Sequence, residues 1–232
     1  MCNVYCFSGS GHSRAVAAFL AERLGAAVQD TEGAEPSFAA PCAVVFPVYC
    51  QGVPAPVKAF FAALRAEQVA LVAVHGGVSY GRALYEAKRM VRGRVVAGAY
   101  VRTGHTYLRE GNVFDGAALL PLVQRLKLLQ EGDVLAEVHI PATRKNPFAA
   151  FAPAWRSRLG VRLLRGDACN GCNVCGGACP VHAMRQGKAG GGCIRCLRCV
   201  QACPRGALSF RLRPVLRRYL ARRRTAQTVL YL

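Results

Sequence analysis

Two folded parts are predicted: a doubly wound α/β parallel sheet over residues 1–140, and a small second domain over 166–210. Strand-like and helix-like runs alternate down the first 140 residues, and eight of the 12 cysteines fall between 169 and 203. Charge changes between the parts. Residues 1–137 hold 13 Lys/Arg against 11 Asp/Glu, whereas 138–232 hold 18 against Asp167 alone. Hydrophobic residues at 53% and charged ones at 19% supply a core and argue against a disordered chain.

The elements follow in order. NVYCF (3–7) is apolar and β-branched enough for a buried strand. Val16, Phe19, Leu20 and Leu24 then repeat at helical spacing, and GAAVQ (25–29) fits a short edge strand. CAVVFPVY (42–49) is the next strand, with Val57, Phe60, Phe61 and Leu64 giving a helix after it. ALVAVH (70–75) precedes a helical stretch at 82–92, and VVAGAYV (95–101) precedes a last helix marked by Leu119, Leu122, Val123 and Leu126. The one long uncharged run, 38–57, carries Pro41, Pro47, Pro54 and Pro56, which excludes a spanning helix there. The start, MCNVYCFSGSGHSR, has no basic leader, so a cytoplasmic protein without a transmembrane segment is the expectation.

The loop Ser8-Gly9-Ser10-Gly11-His12-Ser13 follows the first strand, where ligands of such sheets bind. Its glycines let the backbone approach a phosphate, its hydroxyls add donors, and the next helix offers free N–H groups. It lacks the lysine of a nucleotide-hydrolysing loop and the G-x-G-x-x-G spacing of a dinucleotide site.

Residues 169–184 and 193–208 are an internal repeat offset by 24, each reading C-x-x-C-x-x-C-x-x-x-C-P-x-x-A-apolar. In a reducing compartment this density of thiols favours metal over disulfides. Three cysteines so close wrap one 4Fe–4S cluster, and the fourth, carried onward by proline, ligates the cluster of the other half. Cys169, Cys172, Cys175 and Cys203 are therefore expected to bind one cluster, and Cys193, Cys196, Cys199 and Cys179 the second. Zinc is the competitor, although its sites more often use two C-x-x-C pairs across a longer finger. A module of about 45 residues buries too little apolar surface to stand alone, so bound metal must help hold it.

The repeat resembles the bacterial ferredoxin family with two 4Fe–4S clusters, a small α+β fold; the linker PVHAMRQGKAGGG between its halves is short and glycine-rich. FSGSGHS resembles the FMN-phosphate loop of the flavodoxin family. That resemblance implies FMN as cofactor, held by Ser8, Gly9, Ser10, Gly11, His12 and Ser13 at its phosphate. It also implies that Pro47-Val48-Tyr49-Cys50-Gln51-Gly52 and Gly76-Gly77-Val78-Ser79-Tyr80-Gly81 flank the ring, with Tyr49 and Tyr80 for stacking and Gly52, Gly76 and Gly77 for close backbone approach. The whole chain is similar to fused flavodoxin–ferredoxin proteins, known mostly in anaerobic bacteria and archaea. The resemblance implies an electron-transfer protein that exchanges electrons between FMN and two 4Fe–4S clusters.

Residues 141–165 read as a connector, with Phe151 and Trp155 packing against one domain. Residues 211–232 form a basic tail with seven arginines and no acid, expected to be helical from Pro214 with Val215, Leu216, Tyr219 and Leu220 as its apolar stripe. Two other functions fit. One is a flavin-dependent reductase of a small substrate, with His105, Arg102 and Tyr107 beside the ring. The other is a basic binding module whose clusters are structural and whose basic half, the tail above all, grips nucleic acid or anionic membrane. An acidic redox protein is the expected partner, in preference to nucleic acid.

Overall fold

Chain order places β1 (Asn3–Cys6), α1 (His12–Leu24), β2 (Val28–Asp30), β3 (Phe38–Ala39), β4 (Cys42–Pro47), α2 (Ala55–Ala63), β5 (Arg65–Ala66), β6 (Gln68–His75), α3 (Ala83–Lys88), β7 (Arg94–Arg102) and α4 (Leu120–Glu131) first. There follow α5 (Pro153–Gly160), β8 (Val161–Arg165), α6 (Val174–Gly177), β9 (Met184–Arg185), β10 (Lys188–Ala189), α7 (Arg198–Gln201), β11 (Leu208–Leu212), α8 (Pro214–Leu220) and β12 (Val229–Tyr231). The computed structural model describes residues 2–34, 38–111, 113–143, 153–221 and 227–232. Two compact units result: Met1–Lys145 with Arg224–Leu232, and Asn146–Arg223.

The first unit is built on a six-stranded sheet ordered β12-β7-β6-β4-β1-β2. Its five strands from β2 to β7 are parallel, and β12 closes the far edge antiparallel to β7. Counting the parallel strands alone gives 2-1-3-4-5, consistent with the flavodoxin-like doubly wound fold. Parallel strands covered on both faces need unbroken apolar runs, and all of Val69–His75 in β6 is buried. On one face α1 (Val16, Ala17, Leu20) and α4 (Leu122, Val123, Leu126) pack on Val4, Cys6, Val45 and Val72. On the other, Phe60 and Phe61 of α2 meet Tyr5 and Phe46, ring to ring, at 4.9 and 5.7 Å. Cys2, Cys6 and Cys42 are wholly buried core thiols.

Several elements differ in extent from the sequence reading. The edge strand is Val28–Asp30, because Gly25 takes a left-handed conformation (φ 59) to end α1. The helix expected over 82–92 is only Ala83–Lys88. Pro121 lies in the first turn of α4, where its missing N–H costs nothing.

In the second unit β8 and β11 pair antiparallel from Val161↔Leu212 to Arg165↔Leu208, bracketing the cysteine repeat. The repeat is also one of backbone. Gly171 and Arg195, Asn173 and Leu197, and His182 and Gly206 are pairs 24 residues apart that all have positive φ. Asn173 and Leu197 cap the one-turn helices α6 and α7. The linker between the halves folds as a hairpin of β9 and β10, turned by Gln186 (φ 47) and Gly187 (φ 81).

The tail expected to be one helix divides into three. Residues 208–212 are strand β11, Pro214 opens α8, and Val229–Tyr231 returns to the sheet of the first unit. Of the expected stripe on α8 only Leu220 is fully buried; Leu216 is half-buried, and Val215 is 83% exposed. The side chains of Phe151 and Trp155 and the arginines at 222–224 lie outside what is described.

Candidate functional site

The sheet order reverses at β1 and β4, so the loops after them open on one crevice at the carboxyl ends of the strands. In the first, Ser8 Oγ accepts the N–H of Gly11 at 3.1 Å. Gly11, at φ 90, turns the chain into α1, a helix of 13 residues. Two polar atoms at that helix start, His12 Nδ1 and Ser13 Oγ, are buried without a hydrogen-bond partner among the described residues. Unpartnered buried polar atoms at a helix N-terminus fit the chemistry of a site for an anion such as phosphate.

Three further loops meet the first. The hydroxyls of Ser10 and Thr106 stand 2.5 Å apart, joining it to the loop after β7. Tyr49 and Gly52 exchange backbone hydrogen bonds of 3.1 and 3.0 Å across Cys50 and Gln51, which both have positive φ. Arg82 donates its N–H to the Gln51 carbonyl at 3.2 Å, and a Cβ on Gly81 would lie 2.5 Å from the same oxygen. Gly76 has no room for a Cβ either, since the His105 ring would be 2.6 Å away. All the loops expected to hold a flavin are thus brought to one end of the sheet.

The two tyrosines are placed differently. Tyr49 is half-buried and meets Phe7 edge-on at 6.4 Å. Tyr80 lies flat on Tyr100 at 4.1 Å, with His75 edge-on at 5.4 Å, so one face of Tyr80 serves the core. His105 Nδ1 accepts the Tyr107 N–H at 3.2 Å, and the His105 backbone N–H donates to Glu110 Oε2 at 2.7 Å. Burial lowers its pKa, with Glu110 opposing. Arg102 is exposed at the end of β7.

The cysteines of the second unit line two cavities. One has Cys169, Cys172, Cys175 and Cys203 in its wall, with Gln186, Gly187 and Arg205. The other has Cys179, Cys193, Cys196 and Cys199, with Leu163, Met184, Ile194 and Leu197. Each set therefore draws three thiols from one half of the repeat and one from the other. Cys175 of the first and Cys199 of the second share one buried cluster with Cys179, Met184 and Leu208. Burial, then the neighbouring thiols, pushes Cys199 up to about 12; burial pushes Cys196 up to about 11. Thiols so placed become thiolates only against a cationic core. Among the described residues no three of His, Cys, Asp and Glu are grouped to hold a single metal ion. A tetrahedral zinc needs its donors converging on one point, whereas a cubane takes each thiolate at a separate corner.

Backbone N–H groups reach both cavities. Gly187 donates to Cys175 Sγ at 3.3 Å and Ala183 to Cys179 Sγ at 3.2 Å. Such bonds to sulfur tune a cluster's potential. Gly187, Arg165 and Arg205 were not among the residues singled out from sequence. For Gly187 the available signal was the Gln-Gly pair in the linker, a turn dipeptide.

Among known protein families, residues 191–209 match the 4Fe-4S binding domain. The match gives the chain a ferredoxin-type iron–sulfur domain and supports iron–sulfur electron transfer as its class of activity. None of the curated proteins matches the chain. No helix among the described residues is long and apolar enough to cross a membrane.

Proposed function

We propose that the protein carries two 4Fe–4S clusters and one FMN and exchanges electrons between them. Cys169, Cys172, Cys175 and Cys203 hold one cluster, and Cys193, Cys196, Cys199 and Cys179 the other. The observation that carries this reading is the lining of the two cavities, each with four cysteines drawn from both halves of the repeat. The shared cluster of Cys175 and Cys199 supports close neighbourhood of the two centres.

For FMN the support is the set of loops gathered at the carboxyl end of the sheet, with the unpartnered His12 Nδ1 and Ser13 Oγ at the start of α1. Ser8, Ser10, Ser13 and the backbone of 9–12 would hold the phosphate, and the turns at 49–52 and 76–81 would flank the ring. The flavin, when bound, accepts electrons in pairs or singly, while each cluster takes one at a time. The chain's own part is to hold the groups, to exclude water from the buried thiolates and to set potentials through N–H···S bonds and charge. A redox protein is the partner.

Anaerobic reconstitution with iron, sulfide and FMN tests the reading. Eight irons, eight sulfides and one flavin per chain are expected. Zinc in place of iron overturns the cluster assignment, and eight irons with no flavin retained overturns the flavin assignment alone.

A further inference from the structure

We propose that the two cysteine sites are unequal: the site of Cys169, Cys172, Cys175 and Cys203 is the port where a partner protein exchanges electrons, and Arg165 and Arg205 fit that port to an acidic carrier. The inference rests on the two-cluster reading above and deepens it by assigning direction and partner chemistry.

Exposure separates the sites. At the first, Cys172 is exposed, Cys169 and Cys203 are half-buried, and Cys175 alone is buried. At the second, Cys179, Cys193, Cys196 and Cys199 are 5–9% exposed, every one of them enclosed. Tunnelling falls steeply with distance, so a docked protein exchanges electrons with the centre whose ligands reach the surface.

Exposed charge marks the first site as well. Arg165 is exposed at the end of β8, with Nη2 3.5 Å from the carbonyl oxygen of Cys169. Arg205, also exposed, follows Cys203 and Pro204 and donates from Nε to the Ala168 carbonyl at 2.7 Å. Two guanidiniums thus stand at the rim of the first site. Asp167, the sole acid from 138 to 232, stands between Arg165 and Cys169 in the chain and offsets one of the two charges, so the rim keeps a net positive charge. At the second site Arg195 and Arg198 flank Cys196, but both are half-buried, so the exposed guanidiniums belong to the first. A positive rim steers and orients an acidic protein surface.

The difference in exposure of the two sets of thiols also acts on potential. Reduction adds a negative charge, which water and guanidinium groups stabilise and burial penalises. The first site is therefore the one of higher potential, so an electron arriving at the second runs downhill to the port. One electron leaves the port for each one-electron step in the carrier; the cluster itself makes or breaks no bond, and a flavin carrier takes the proton of its half-reduced form from solvent. The backbone N–H bonds to Cys175 and Cys179 are alike at the two sites and leave this order untouched.

The test uses the reconstituted full chain and its R165Q/R205Q variant, with an acidic flavodoxin as probe. Iron is counted first. EPR-monitored reductive titration of the parent should show two steps, and in the variant the higher step alone should fall by at least 59 mV, tenfold for one electron. Reduction of the flavodoxin at low salt should slow at least tenfold, with the difference fading at high salt. R211Q/R217Q, which removes equal charge from β11 and α8, should stay within twofold of the parent. Should R165Q/R205Q fail to retain iron, the single variant R205Q carries the same expectation of a selective fall. Eight irons with both steps moving together, with the lower step moving alone, or with R211Q/R217Q slowed as much, overturns the proposal. Fewer than eight irons in the parent overturns the two-cluster reading itself.

Discussion

Gly187 donates its backbone N–H to Cys175 Sγ at 3.3 Å while a Cβ placed on it would lie 3.2 Å from Cys169 Sγ and 3.0 Å from Arg165 Cδ. The hairpin tip is therefore pressed onto the first cavity, and its φ of +81° is one that L side chains avoid.

Gly187→Ala should cost about 1–2 kcal/mol in left-handed backbone alone, with crowding of Cys169 added. The first cluster should lose iron to a chelator several-fold faster than in the parent, while the second holds. Time courses of iron release, with EPR to tell the two signals apart, check this; equal release from both sites would contradict it.

The proposed crossed ligation makes a pairing prediction. Cys203→Ser should abolish the same EPR signal as Cys169→Ser, although 34 positions separate them, and Cys179→Ser should abolish the same one as Cys193→Ser. Each variant should retain roughly half of the iron. If Cys179→Ser groups with Cys169→Ser instead, each half of the repeat binds its own cluster.

Acid should weaken the first unit through His75. This ring is 3% exposed, and burial, aided by the positive charge of Arg102, pushes its pKa down from 6.5 to about 4. Because the folded value is depressed, the unfolded chain binds the extra proton first. His75 leaves stability intact above pH 6.5 and withdraws it progressively as pH falls towards 4, by about 3 kcal/mol in all. His75→Gln keeps an acceptor for the Gly77 N–H, now held by His75 Nδ1 at 3.2 Å, and removes the titration. Urea unfolding at pH 7 and pH 4.5 should show the variant losing less stability than the parent; equal losses would remove His75 from the account.

Strand β12 should matter to the sheet and not to the clusters. Tyr231 meets Tyr100 edge-on at 6.4 Å, and Leu230 packs half-buried on the core of the first unit. Leu230→Ala should cost roughly 1 kcal/mol, below the range for a wholly buried leucine. Deleting 227–232 should cost more by baring the β7 edge, which invites aggregation. Iron content should be unchanged in both; thermal unfolding followed at the sheet, beside an iron count, checks it.

The sequence by itself pointed to iron–sulfur chemistry in the second unit and to the order of elements in the first. The cysteine spacing carries that reading, since a cluster demands its thiols at fixed short intervals. Strands β1, β4, β6 and β7 were legible because a parallel sheet buried on both faces needs continuous apolar runs such as CAVVFP and VALVAVH. Tertiary structure alone decided the rest. The short run Val229–Tyr231 is a strand because β7 offers an unpaired edge, more than a hundred residues upstream. Tyr80 lies against Tyr100 because α3 and β7 bring their surroundings together, a contact no local pattern announces. Gly187 and Arg205 line the first cavity from a hairpin tip and a loop, and Arg165 approaches the Cys169 carbonyl from a strand end. Their roles depend on approach through space, where charge and sterics act, and not on distance along the chain.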